Sequence, residues 1–297
     1  MPELPEIETI KLQLQKHIVG QTIRRLEKLH SKSVQGNPEN VVGKKITGIR
    51  RLGKMLIIDL AESWHLAIHF KMSGQLVLVR SSQFEIQSKD QIGERIVGGH
   101  PTEDWTGKLP SKHTRSIFYL DNGDCLFFND QRIFGWVKIL TTKSLKELAF
   151  LKNLGPELWD ISDKQFYALI ARRKKAIKLV IMDQSVISGV GNIYANDGLW
   201  EARIHPKTLG QNLAFAKAKL LRSGLIRVLQ EGIKYGGATA ADAKYINLDG
   251  LGGHYQEHFR VYDREGKKCL RSDGGIIKKI VLSGRGTYFC PTCQRLA

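Results

Sequence analysis

Cysteine is scarce in this chain, with four residues in 297. Three of them, Cys269, Cys290 and Cys293, fall near the C-terminal end. So few thiols, so placed, exclude the disulfide framework of a small secreted domain and point to a metal site. The fourth, Cys125, stands alone in an apolar strand-like run and reads as a core thiol. No run of about 18 apolar residues occurs, which excludes a membrane-spanning helix. The start of the chain lacks the basic-then-apolar pattern of a signal peptide, so the expected place is intracellular, cytoplasmic or nucleoid-associated. Acidic residues are also in short supply. Twenty-nine Asp and Glu face 46 Lys and Arg, a formal charge of +17. That excess calls for a polyanionic partner, and nucleic acid is the commonest. No basic amphipathic helix with an aromatic face supports a membrane surface instead.

The length suits two domains and a small appendix. Ile7, Ile10, Leu14 and Ile18 recur on one helical face, Pro5 suits a helix start, and Gly20 ends the run. Residues 21 to 140 then read mostly as strands, among them Met55–Leu60, Trp64–Phe70, Gln75–Val79, Ser116–Leu120 and Cys125–Asn129, with a hairpin signal at Asp121-Asn122-Gly123-Asp124. Many short strands with turns imply a β-sandwich or barrel. Residues 81–112 are polar and rich in Gly and Pro, and read as a long loop. From about 144 the period becomes helical, with candidates at Leu145–Lys152, Lys164–Arg172, Ile177–Met182 and Asn212–Ile233. Tyr235–Gln256 reads as another loop, and short strands surround the last cysteines. The expected division is 1–140, 144–257 and 258–297.

Three motifs carry chemistry. The opening Met1-Pro2-Glu3-Leu4-Pro5-Glu6 would present a secondary amine at Pro2 once Met1 is removed, with the Glu3 carboxyl beside it. Such an amine can attack an electrophilic sugar carbon and hold it as an iminium. Cys290-Pro291-Thr292-Cys293 has zinc-knuckle spacing. Its second pair is altered: Cys269 is present, Ser272 stands where a partner is due, and Asp273 offers an oxygen. Gly189-Val190-Gly191-Asn192 precedes a helix whose N-terminus can meet a phosphate. Upstream, Arg172, Arg173, Lys174, Lys175 and Lys178 read as a DNA backbone track.

Together these pieces resemble the formamidopyrimidine-DNA glycosylase family, bifunctional base-excision enzymes that also include endonuclease VIII. The resemblance adds His69-Phe70-Lys71-Met72-Ser73-Gly74, Asp130-Gln131-Arg132-Ile133-Phe134-Gly135, Ile181-Met182-Asp183-Gln184, Gly191-Asn192-Ile193-Tyr194-Ala195 and Gly284-Arg285-Gly286-Thr287-Tyr288-Phe289-Cys290, in order along nearly the whole chain. It implies an α+β architecture: an N-terminal β-sandwich with an N-terminal helix, a helical domain with a helix–two-turn–helix, and a C-terminal zinc-finger-like β-hairpin. It implies damaged double-stranded DNA as partner, held in a basic cleft by a monomer, and one structural zinc on Cys269, Asp273, Cys290 and Cys293.

The resemblance also assigns roles. Pro2 is the nucleophile and Glu3 the general acid. Glu6 and Lys54 complete the catalytic group, and Arg285 grips phosphates for δ-elimination. Met72, Arg132 and Phe134 would fill the hole left by the everted base, with Arg132 bonding the orphaned partner base. His113, Lys174 and Asn192 match further DNA contacts. Read without the family, Met72 and Phe134 are core residues, Lys54 an exposed strand lysine, and His113 a loop histidine. Three features depart from the pattern: the longer 81–112 segment, Lys71 in place of a customary glycine, and Ala241 where many relatives carry arginine. The expected substrate is an oxidised purine. The alternatives are oxidised pyrimidines, or a non-catalytic damaged-DNA-binding relative.

Overall fold

In the computed structural model, residues 1–81, 95–239 and 252–296 are described. The chain forms two compact units, Met1–Lys152 with Gly236–His254, and Asn153–Tyr235 with Tyr255–Ala297. Among the described residues no helix is long and apolar enough to cross a membrane.

The first unit opens with helix α1 (Leu4–Ile18), whose N-cap is Glu3; Pro5 occupies the second helical position rather than the first. Among the described residues ten strands follow: β1 (Ile23–Lys28), β2 (Val34–Gln35), β3 (Ile46–Leu52), β4 (Met55–Leu60), β5 (Trp64–His69), β6 (Gly74–Val79), β7 (Arg95–Gly99), β8 (Thr114–Leu120), β9 (Cys125–Asp130) and β10 (Trp136–Thr141). They make two five-stranded sheets, ordered β1-β8-β9-β6-β7 and β2-β10-β5-β4-β3. All pairings are antiparallel except β2 with β10.

The main core takes one face from each sheet and the apolar stripe of α1. Ile7, Ile10, Leu14 and Ile18 pack with Leu56, Ile58, Leu66, Ile68, Leu76, Leu78, Phe118, Leu126 and Phe128. The opposite faces are covered too. Val77, Val97, Ile117, Cys125 and Phe127 gather around Trp105. Met55, Ile57 and Ala67 pack against Leu145, Leu148 and Phe150, the last three from the segment holding α2 (Thr142–Glu147) and α3 (Ala149–Lys152). Double coverage explains why Met55-Leu56-Ile57-Ile58 is a continuous apolar run rather than an alternation. Burial pushes the Cys125 thiol up to about 11, as a core thiol requires.

Of the expected 81–112 loop, residues 82–94 lie outside the described residues, and the described part is not all loop. Arg95–Gly99 is a full edge strand, registered from Val79↔Arg95 to Gln75↔Gly99, and Glu103–Trp105 is a turn of 3₁₀ helix. Two glycines hid the strand, and both are there for close approach. A Cβ on Gly98 would lie 2.2 Å from Ile10 Cδ1 and 2.6 Å from its Cβ, while Gly99 has φ +107. The expected Leu145–Lys152 helix is likewise two pieces, interrupted at Leu148.

The second unit is helical, with α4 (Asp163–Ile170), α5 (Ile177–Met182), α6 (Asn192–Glu201) and α7 (Phe215–Lys234), followed by the hairpin β11 (Lys278–Leu282) and β12 (Arg285–Phe289). A Ser162/Gln165 capping box starts α4. Helix α6 is buried on nearly every side, and Gly198 permits that: a Cβ there would lie 2.4 Å from Leu225 Cδ2.

Gly98→Ala should push α1 from β7 and destabilise the chain by about 1–3 kcal/mol. A urea midpoint equal to the parent's would show that the contact yields freely.

Candidate active site and nucleic-acid interface

In the first unit the chain start is held by one carboxylate. Glu6 accepts from the Glu3 backbone N–H through Oε2 at 2.8 Å and from the Ala238 N–H through Oε1 at 2.7 Å. Pro2, Glu3 and Glu6 are all buried. Gly237 makes this possible, since it has φ +85 and a Cβ there would sit 2.8 Å from Glu6 Cγ. A cavity of about 200 Å³ lies alongside, lined by Glu6, Thr9, Gln13, Gly98, Trp105 and Thr239 among others. Ala241 falls outside the described residues.

Lys54 is 4 % exposed, so it is not an ordinary surface lysine. It sits in the two-residue turn between β3 and β4, where Gly53 takes φ +56. Arg51 braces that turn, donating to Gly53 O at 2.9 Å and to Glu8 Oε2 of α1 at 2.7 Å. Burial pushes the Glu8 carboxyl up, but hydrogen bonds from Lys11 and Arg51 and their charges outweigh it and hold the group below its ordinary value.

Met72, Arg132 and Phe134 are displayed at the surface, Met72 at 43 % and Phe134 at 55 % exposure. The buried Asp130 carboxylate organises them. It accepts from Ser73 Oγ, from the Arg132 N–H at 3.2 Å and from the Gly135 N–H at 2.6 Å. Arg132 N also reaches Ser73 Oγ at 3.1 Å, which brings the Met72 turn against the Arg132–Phe134 turn. The Arg132 guanidinium lies 5.0 Å from the centre of the Phe134 ring. Met72 and Phe134 are therefore not core residues. Asp130 is the residue that reading the sequence missed. Its signal is an acid placed just before a Gly-containing turn. Lys71 has φ +50, which explains a preference for glycine there.

His69, in the same motif, is buried between Trp136 and Phe150 at ring-centre distances of 5.6 and 5.0 Å, and its Nδ1 accepts from Lys71 N. Burial, with the charges of Lys71 and Lys54, pushes it down to about 3. The ring is a neutral structural acceptor. His113 is half-buried, with Nδ1 3.1 Å from Asp104 Oδ2.

In the second unit Gln184 shapes the turns between α5 and α6, donating to Met182 O and Val190 O and accepting from Gly189 N. Arg172, Arg173, Lys174 and Lys175 are exposed. With Asp183, Ser283 and Arg285 they line a cavity of about 710 Å³. Lys178 does not belong to this track. It is fully buried, donating to Gly286 O at 3.0 Å and Thr287 Oγ1 at 2.7 Å, because its position on α5 faces the hairpin. Asn192 opens α6 and donates to the same Gly286 carbonyl at 3.2 Å. Arg285 is exposed at the end of the Ser283-Gly284 turn, both of whose residues have positive φ.

Cys269, Asp273, Cys290 and Cys293 bring their ligand atoms within 4.8 Å of one another. Trp200 Nε1 and Arg271 Nη1 each donate to a cysteine sulfur, Cys269 and Cys293, at 3.4 Å. Gly275 keeps the space open, since a Cβ there would lie 2.3 Å from Cys290 Sγ. Three soft sulfurs and one oxygen at this separation fit one zinc ion.

Three family models match in order: the formamidopyrimidine-DNA glycosylase N-terminal domain over residues 1–137, the H2TH domain of the same enzymes over 154–244, and the zinc finger found in FPG and IleRS over 266–296. The formamidopyrimidine-DNA glycosylase of Pelotomaculum thermopropionicum is 38% identical, with all of both chains covered. The chain belongs to the formamidopyrimidine-DNA glycosylase family. The enzyme of Chloroflexus aurantiacus is 37% identical over 99% of this chain and 98% of its own. Among solved structures, Lactococcus lactis Fpg in complex with abasic-site DNA superposes with a TM-score of 0.82 at 31% identity, covering 99% of this chain and 100% of that one. The Lactococcus complex with Fapy-dG DNA gives 0.81, again at 31% identity and the same coverage. The helix–two-turn–helix and finger expected of this family are thus present, and the cluster at Cys269, Asp273, Cys290 and Cys293 could hold the finger's zinc.

Two outcomes follow from this geometry. Asp273→Ala should weaken zinc binding roughly ten- to hundredfold, read by competition with a chromogenic chelator; unchanged affinity would remove Asp273 from the ligand set. The His69 value in the folded chain lies below the ordinary 6.5, so the unfolded chain binds the extra proton. Stability is therefore lost as pH falls from 6.5 towards about 3. Across that window the advantage of the parent over His69→Gln should shrink by up to about 1.4 kcal/mol per pH unit. Parallel stability curves would rule this out.

Proposed function

We propose that this chain is a base-excision repair enzyme that everts and removes oxidised purines, then nicks the strand as a lyase. Once Met1 is removed, the Pro2 lone pair attacks C1′ as the glycosidic bond breaks and the base leaves with that electron pair. Glu3 protonates the sugar oxygen as the ring opens to an iminium. The iminium acidifies the adjacent sugar position. Loss of that proton expels the 3′ phosphate, and a second elimination, with Arg285 on the flanking phosphates, expels the 5′ phosphate and leaves a one-nucleotide gap. A terminal amine with a pKa near 8 keeps a usable unprotonated fraction at neutral pH.

The observation that carries this reading is the Glu6 clasp, which fixes the backbone of Glu3 one residue from the nucleophile and ties it to the segment after Gly236. Lys54 serves beside them. Met72, Arg132 and Phe134 fill the vacated stack, and His113, Lys174 and Asn192 grip the backbone. The division of labour follows the expected segments 1–140, 144–257 and 258–297, with the stretch after Gly236 working from the first compact unit. The enzyme acts as an intracellular monomer on damaged duplex DNA. Oxidised pyrimidines are a second substrate class, favoured by one finding: a Lactococcus relative at 32% identity is known in complex with DNA containing one.

Borohydride trapping on an 8-oxoguanine duplex tests the chemistry. The mature chain should form a covalent adduct; Pro2→Gly should form none, and Glu3→Gln should lower base release by at least about a hundredfold. An adduct that persists in Pro2→Gly, or a mature chain found by mass spectrometry to retain Met1, overturns the mechanism.

A further inference from the structure

We infer that Asp104, carried by the 3₁₀ turn Glu103–Trp105, is a positioning residue for His113, fixing its ring so that Nε2 is presented to a DNA phosphate. This rests on the reading of His113 as a backbone contact.

The carboxylate is an acceptor only, so the 3.1 Å contact between Asp104 Oδ2 and His113 Nδ1 requires the hydrogen on Nδ1. The five-membered ring then turns Nε2 away from Asp104. Nε2 has no hydrogen-bond partner among the described residues, and the side chain is 22% exposed. A phosphate oxygen also only accepts, so Nε2 would meet it as a donor.

The platform beneath Asp104 is rigid. Its side chain is 6% exposed. Its backbone N–H bonds Thr102 Oγ1 at 3.2 Å, and that hydroxyl is fixed by Gln75 Nε2 of β6 at 2.7 Å. Arg95 of β7 donates to Gly107 O at 2.7 Å and Trp105 O at 3.3 Å, clamping the 3₁₀ turn from the other side. The neighbouring Trp105 is sunk in the cluster on the outer sheet face. His113 is held at its backbone as well: its N–H bonds Ser111 Oγ, and its carbonyl accepts from Asp130 N at 2.9 Å. That second bond reaches the residue that shapes the Arg132–Phe134 turn. The Glu103–Trp105 turn therefore supplies a carboxylate that pre-sets a histidine ring, and the ring gives up less freedom when DNA arrives.

The test is a double-mutant cycle on affinity for a duplex with a tetrahydrofuran abasic analogue. His113→Gln and Asp104→Ala should each weaken binding about five- to tenfold, and the double variant should bind no worse than His113→Gln alone. Asp104→Asn keeps an acceptor and should recover most of the loss. For Asp104→Ala, single-turnover base release at saturating enzyme should stay within about twofold of the parent, since the positioning of a binding group rather than the chemistry is touched. Additive losses, or Asp104→Ala binding like the parent while His113→Gln does not, overturn the inference. Should His113→Gln itself bind like the parent, the underlying reading of His113 fails and takes this one with it. Thermal midpoints separate either result from unfolding; Asp104→Leu, which keeps most of the volume but removes the acceptor, takes the place of Asp104→Ala if that variant does not fold.

Discussion

The first unit depends on one carboxylate that serves two backbones. Glu6 is buried, and each of its oxygens accepts an N–H, one from Glu3 and one from Ala238. A buried carboxylate must be satisfied in this way or it is costly. Because the partners lie at opposite ends of the unit's sequence, the bond pair joins the chain start to a segment more than two hundred residues away. The reactive terminus of a polypeptide is normally its least ordered part. Here it is capped onto α1 and packed on a core. The terminal-amine catalysis proposed above needs that order, since a nucleophile must be held near its target.

A second carboxylate plays the corresponding part for the turns that carry Met72, Arg132 and Phe134. Asp130 bonds Ser73, Arg132 and Gly135, and the result is an exposed Met, Arg and Phe on fixed turns. Exposed large apolar side chains on a rigid frame call for a ligand. In the second unit the buried Lys178 and Asn192 converge on the Gly286 carbonyl. They set the hairpin that carries Arg285, whose guanidinium has no hydrogen-bond or ion-pair partner among the described residues.

Much of this was legible in the sequence. The α1 stripe, most strands, the hairpin at Asp121–Asp124 and the four metal-ligand candidates follow from periodicity, turn chemistry and spacing. What was hidden is instructive. Arg95–Gly99 looked like loop because its glycines serve contact with Ile10 and Gly74 rather than a turn. Lys178 looked like one more cation because a charge run gives no hint of which member points inward. Met72 and Phe134 looked like core because apolar character alone cannot say which side of a wall a side chain takes. Lys54 looked exposed because the brace from Arg51 comes from tertiary contact. In each case the missing information was three-dimensional: a partner distant in sequence decided the environment.

Gly237 has a consequence for how such a chain can diversify. Its left-handed backbone and its closeness to Glu6 leave no room for any side chain. Substitution is therefore barred at Gly237 for as long as Glu6 keeps its place against it. A carboxylate that joins two distant backbones thus dictates, besides its own identity, that of the residue lying against its side chain.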